Sequence, residues 1–311
     1  MTKPDAGSRG GPADRQGRVG RLASLSSRFQ RSRSSVTAFV LAGGGTRGAV
    51  QVGMLAELVD RGIRADRVYG ASVGAVNAGA YAGDPTSGGM KKLEEVWVNL
   101  RPDDIFPKTR VHGPWMFFQQ RESVYANSGL RKVLESGLSF DRIEDAVIPL
   151  EVVTTSLVDG SERWLSSGSV VEAALASASI PGIFPPVLID DELMIDGGVV
   201  NNVPISRAIA AGATTIYVLL CGPIRNTPRI GKRPIESVVS AFFTSVYSRF
   251  TRELEEVPKH VELVVFSGSK RPIEDFRDFG ASPAMVEAGR QEVRDVLDGP
   301  AARSQPGAGV G

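Results

Sequence analysis

The sequence predicts an α/β protein, a three-layer α/β/α arrangement around a largely parallel central sheet. Three observations carry this expectation. Ser34 to Leu41 is a β-branched, apolar run that leads through a glycine loop into Ala49, Val52, Leu55, Leu58 and Val59 at helical spacing. Arg67-Val68-Tyr69 reads as a second strand, and a tight turn joins it to a small-residue helix from Ala75 to Tyr81. Thr214 to Leu220 and Val261 to Phe266 read as further buried strands. Strands alternating with helices put helices on both faces of a parallel sheet.

The elements between follow in order. Lys91 to Leu100 carries Leu93, Val96, Trp97 and Leu100 on one helical face. Residues 101 to 127 are irregular and aromatic (Phe106, Trp115, Phe117, Phe118, Tyr125), a length that suits a lid. Leu130 to Leu138 is a short helix. Ile148 to Val158 is a strong strand that turns at Asp159-Gly160 into Arg163-Trp164-Leu165. Ser169 to Ala178 is a small-residue helix, and a hairpin around Asp190-Asp191 delivers Asp196. Ile235 to Leu254 is a long helix with Phe242, Phe243, Val246 and Phe250 in a stripe. Ser282 caps the last helix, to Leu297, with Pro283 at its first position.

Three loops between these elements carry chemistry. Gly70-Ala71-Ser72-Val73-Gly74 is G-x-S-x-G between strand and helix, the turn that pushes a serine hydroxyl out of the backbone, with Gly70 and Gly74 admitting the close approach. Such a serine normally relies on a histidine base. The chain has only His112, in a loop, and His260, before a late strand, and neither has a base context. The glycine loop, Gly43, Gly44, Gly45, Thr46, Arg47 and Gly48, aims backbone N–H groups at one point at a helix start and suits either a phosphate or an oxyanion. It lacks the Gly-Lys-Ser/Thr of a Walker loop, and Asp66 precedes the second strand instead of ending it, as a dinucleotide site requires. The third stretch is Leu193 to Gly198, an apolar strand ending in Asp196 before Gly197 and Gly198. Alone it also reads as a solvated Asp-Gly turn. In company with the serine elbow, Asp196 is the candidate base and the glycine loop the candidate oxyanion hole. Ser177 and Ser179 are alternative nucleophiles without an elbow.

GGGTRG, GASVG and DGG, in that order, resemble the patatin-like phospholipase family, and Val199-Val200-Asn201-Asn202-Val203-Pro204 looks like that family's asparagine–proline extension. The resemblance covers roughly residues 36 to 300, and the compact spacing looks more like the small bacterial members. It implies a Ser–Asp dyad without histidine, Ser72 as nucleophile, Asp196 as base, and Gly43, Gly44, Gly45, Arg47 and Gly48 around the oxyanion. It further implies hydrolysis of lipid acyl esters through an acyl-enzyme, with no metal and no cofactor. The same dyad would serve an acyltransferase or thioesterase, or persist in a regulatory protein with little turnover.

Composition bounds the rest. The chain has 311 residues, 42% of them hydrophobic, enough for one large core over residues 36–298. Residues 1–35 carry eight basic against two acidic residues, a net of +6 in a chain of net +1, so the remainder carries −5. That Arg-, Ser- and Gly-rich tail, like residues 299–311, is expected to be disordered. It suits peripheral contact with an anionic membrane, and no nucleic acid is expected. No run reaches the roughly eighteen apolar residues of a membrane span, and the single cysteine, Cys221, fits a cytoplasmic setting.

Overall fold

A computed structural model describes residues 35–107, 123–223, 249–268 and 277–299. The N-terminal tail, His112, Trp115, Phe117, Phe118, Phe242, Phe243, Val246 and residues 300–311 lie outside the described residues. Strand β1 (Thr37–Leu41) leads through the 3₁₀ turn Gly45–Gly48 into α1 (Ala49–Asp60). Strand β2 (Arg67–Ala71) leads into α2 (Val73–Gly83), followed by α3 (Ser87–Asn99) and the single turn α4 (Pro102–Ile105). Next come α5 (Ser128–Gly137), the hairpin β3 (Leu150–Ser156) and β4 (Glu162–Leu165), and α6 (Val170–Ser177). The hairpin β5 (Val187–Ile189) and β6 (Glu192–Asp196) precedes α7 (Gly198–Asn201), α8 (Ile205–Ala210), β7 (Thr215–Leu219), β8 (Glu262–Phe266) and α9 (Ser282–Asp298).

Among the described residues, eight strands form one sheet in the order β5-β6-β3-β2-β1-β7-β8, with β4 also on β3. The run β3-β2-β1-β7-β8 is parallel, and β4, β5 and β6 are antiparallel additions. Period-two alternation divides the core. Phe39 and Leu41 of β1 face the cluster containing α1, α2, α3, α5, α6 and α9, whereas Ala38 and Val40 face Ile205 and Ala208 of α8 and Phe250. Helices therefore cover both faces, as expected of a parallel sheet.

Local chemistry explains where elements begin. Helix α3 starts earlier than its apolar stripe, at Ser87, because the Thr86 hydroxyl accepts the Gly89 N–H at 3.1 Å and so tolerates two glycines in the first turn. Ser169 caps α6 in the same way through Glu172 N–H. The β5–β6 turn holds Asp190 and Asp191 at φ 48° and 62°, the left-handed pair a two-residue hairpin needs. Ser282 is a correction: Ala281 occupies the cap position and the Ser282 hydroxyl is buried with no hydrogen-bond partner. Its N–H already closes a turn on Phe279 O, so Ser282 is drawn into the first helical turn.

Helix α9 lies against α1 at backbone contact. A Cβ on Gly289 would collide with Val50 O and lie 3.0 Å from Met54 N, and one on Gly53 would collide with Val286 O. Alanine exceeds glycine in helix propensity by about 1 kcal/mol. Overpacking costs about 1–3 kcal/mol, so Gly289→Ala is expected to destabilise. A urea midpoint equal to or above that of the wild type would show that α9 does not lock α1.

Candidate functional site

Ser72 follows the last residue of β2 and forms the N-cap of α2 with φ 52° and ψ −128°. This positive φ is uncommon for a residue with a side chain, and it swings the hydroxyl off the strand line. The neighbouring glycines make the turn possible. A Cβ on Gly70 would lie 2.6 Å from the Cα of Ala75, and one on Gly74 would collide with the Leu41 carbonyl at the end of β1.

The partner arrives from the other direction along the same edge of β3. Pro149 O accepts Val68 N–H from β2, and Leu157 N–H donates to Leu193 O of β6. Residues 149 and 157 have the same parity, so β2 and β6 share one edge, whereas Ser156 N–H donates to Ser161 O, just before β4, on the other. Ala71 pairs with Val153 and Asp196 with Thr154, so the two strands meet end to end at adjacent register positions. The Ser72 hydroxyl donates to Asp196 Oδ2 at 2.6 Å, and both residues are buried. Asp196 Oδ1 accepts the Gly198 N–H at 2.7 Å, and Thr155 Oγ1 donates to the Asp196 carbonyl at 2.8 Å. Gly197 lies against Val153 O, where a side chain would collide.

Burial pushes the Asp196 carboxyl from 3.8 up to about 7, against the opposing pull of the hydrogen bonds from Ser72 and Gly198. A carboxyl poised there is a competent proton acceptor near neutrality. His260 lies exposed in a turn before β8.

The glycine loop sits beside this pair. A Cβ on Gly43 would lie 2.9 Å from Ser72 Cβ. Gly43 N–H is already committed to Asn202 O at 3.1 Å, and Arg47 N–H closes the 3₁₀ turn on Gly44 O at 3.4 Å. Gly44 and Gly45 border the same cavity as Ser72, whereas Gly48 is wedged between Val73 and Trp97. Of the expected oxyanion-loop residues, Gly44 and Gly45 are therefore the ones that border the cavity beside Ser72. Arg47 is half-buried, and its Nε has no hydrogen-bond partner.

Several residues that hold this geometry were missed from sequence. Ser177 Oγ accepts the Ser72 N–H at 2.9 Å and donates to Val153 O at 2.7 Å, and its own carbonyl accepts Gly197 N–H at 3.2 Å. One residue thus braces both halves of the pair. Ser179 Oγ instead closes on Leu175 O at 2.8 Å. Under the loop, Trp97 Nε1 donates to Asn77 Oδ1, Asn77 Nδ2 to Gly48 O and to Gln51 Oε1, and Gln51 Nε2 to Ala42 O and Leu219 O, all between 2.8 and 3.0 Å. Gln51 and Asn77 are fully buried polar residues flanked by apolar and small ones, which is the signal that marks them.

Ser72 opens on a cavity of ≈ 130 Å³ whose remaining lining, Thr46 and the loop glycines aside, is apolar. Phe106 and Phe184 stack at 5.5 Å in its wall, and Tyr125 packs edge-on to Phe106 at 5.1 Å. These two aromatics of the expected lid pack into the protein's own core. Among the described residues no group of His, Cys, Asp or Glu is arranged to hold a metal ion, and no helix is long and apolar enough to cross a membrane.

The model of the family described as patatin-like phospholipase matches residues 39–209, just over half of the chain. Patatin-like phospholipase domain-containing protein 6 of Mus musculus is 28% identical over 212 residues, covering 68% of this chain and 15% of that protein. Lysophospholipase NTE1 of Yarrowia lipolytica is 30% identical over 196 residues, 60% of this chain and 13% of that one. The chain therefore spans only a small part of the length of these relatives. Among solved structures, VipD from Legionella pneumophila aligns over 85% of this chain and 67% of its own at 14% identity and a TM-score of 0.45.

Removing the Ser177 hydroxyl leaves the buried Ser72 N–H without its acceptor and frees the turn that aims Oγ. Covalent labelling of Ser72 by an organophosphonate is expected to slow on the order of tenfold in Ser177→Ala and to recover in Ser177→Thr. Equal labelling rates in the wild type and Ser177→Ala would refute this bracing role.

Proposed function

Because the chain belongs to the patatin-like phospholipase family, we propose that it is a lipid acyl hydrolase acting through a Ser72–Asp196 dyad. One observation carries the reading: a hydroxyl and a carboxyl 124 residues apart share a buried 2.6 Å hydrogen bond, and the hydroxyl's residue lines an apolar cavity. Lysophospholipase and phospholipase relatives support the substrate class.

The reaction follows from these atoms. As Ser72 Oγ attacks the ester carbonyl carbon, its proton passes to Asp196 Oδ2 along the existing hydrogen bond. The carbonyl oxygen gains the negative charge, and the Gly44 and Gly45 N–H groups receive it at the positive end of α1. Collapse breaks the ester C–O bond, and the departing alkoxide takes the proton from Asp196. Water then attacks the acyl-serine, gives its proton to Asp196, and releases the fatty acid as Ser72 recovers its own. The Gly198 N–H on Oδ1 keeps the second carboxylate oxygen occupied, so that Oδ2 is the one presented to the serine.

Two outcomes test the proposal. Ser72→Ala is expected to abolish turnover of acyl esters while the circular dichroism spectrum stays that of the wild type. A folded Ser72→Ala protein with most of its activity would remove the hydrolase reading. The second concerns pH. Only ionised Asp196 accepts the proton, so kcat/KM should rise with pH through about 7. Stability should move the other way. With its carboxyl raised, the folded state holds a proton that the unfolded chain has already lost, so stability falls as pH rises from about 4 to about 7. Asp196→Asn should abolish the first profile and flatten the second; a stability profile unchanged by that substitution would contradict the dry carboxyl.

A further inference from the structure

Apart from its last residue, Gly83, helix α2 is buried along its length except at three lining positions, Val73, Val76 and Ala80, which are partly exposed. They recur at i, i+3 and i+7, one face of a helix, and all three border the cavity that begins at Ser72. Their accessibility is therefore accessibility to the cavity. A helix rises about 1.5 Å per residue, so the cavity follows α2 for about 12 Å from the Ser72 position to Ala80. Leu138, just past the end of α5, closes in at the same place, since a Cβ on Gly79 would lie 3.2 Å from its Cδ2. Leu130, Val133, Leu134 and Leu138, at i, i+3, i+4 and i+8, also line the cavity.

We infer that this channel is an acyl ruler: α2 measures a straight saturated chain of about ten carbons beyond the ester carbonyl, and Ala80 with Leu138 forms its stop. The inference rests on the ester-hydrolase reading above and adds to it the length of the chain. A zigzag of carbon–carbon bonds near 1.5 Å advances about 1.3 Å per methylene, so about 12 Å accommodates nine or ten. The lining supplies no charged group and only the Thr46 and Ser72 side chains as polar ones, which excludes a headgroup and suits a hydrocarbon. Ala80 is the smallest side chain among the three α2 positions and stands farthest from Ser72, so a larger residue there shortens the channel without approaching the reacting atoms.

The test measures kcat/KM for p-nitrophenyl butanoate, dodecanoate and hexadecanoate in the wild type, Ala80→Leu and Leu138→Ala. The readout is the dodecanoate-to-butanoate ratio within each protein, which cancels any loss of folded enzyme. One methylene in an apolar pocket changes selectivity about tenfold or more. The ratio should therefore fall at least tenfold in Ala80→Leu, and the hexadecanoate-to-dodecanoate ratio should rise in Leu138→Ala. An unchanged ratio in Ala80→Leu overturns the ruler while leaving the hydrolase reading intact. If Ala80→Leu does not fold, Leu138→Ala decides alone, and an unchanged profile there overturns the ruler. A wild type that cleaves neither ester overturns both.

Discussion

A carboxyl group held in an apolar interior, with a serine hydroxyl and one backbone N–H as its hydrogen-bond partners, is the constraint around which the rest of this molecule is arranged. Its burial is what makes it basic, and basicity is what the proposed chemistry asks of it. The same burial makes its ionised form unfavourable by about 1.4 kcal/mol per pKa unit, on the order of 4 kcal/mol from 3.8 to about 7. Beneath the glycine loop, a network runs from Trp97 through Asn77 and Gln51 to the Ala42 and Leu219 carbonyls and satisfies the buried amides there.

The sheet topology solves the geometric half of the problem. An all-parallel sheet would bring the ends of β2 and a following strand to the same side, but at neighbouring positions across the sheet. Reversing β6 and docking it on the edge of β3 already used by β2 brings two strand ends face to face. The Ser72 turn and the Asp196 turn then point at one another over a single hydrogen bond. Ser177, at the end of α6, fastens the junction to β3 from both sides. Segment 178–184 continues from there into the cavity wall, so the wall and the brace are one piece of chain.

The cavity owes its character to the helices around it. Small residues on α2 let it pack close to the sheet, and its one open face is aliphatic. Helices α3 and α5 and the ring cluster of Phe106, Phe184 and Phe279 complete a lining with almost no hydrogen-bonding capacity. Such a space gains little from water and much from hydrocarbon, which is why the apolar cavity and the polar dyad are read as two halves of one ester site.

Local sequence determined much of this. The strand–glycine loop–helix and strand–serine–helix units are legible because period, glycine placement and turn chemistry are properties of adjacent residues. For the same reason Ser72 and Asp196 stood out as candidates, and the β5–β6 hairpin could be drawn from Asp190-Asp191. What tertiary structure decided was everything that depends on distance between remote residues. It chose between a solvated Asp196 and a buried one, because burial is set by packing around β6 and not by the Asp-Gly-Gly that follows. It consumed the Gly43 N–H on Asn202, since a free donor is defined by what lies opposite it. It turned Ser177 from an alternative nucleophile into a brace, and moved Ser282 from cap to first turn, because a hydroxyl's role is fixed by its partners. Sequence names the groups that can react; only the fold sets which of them meet, and in how dry a place.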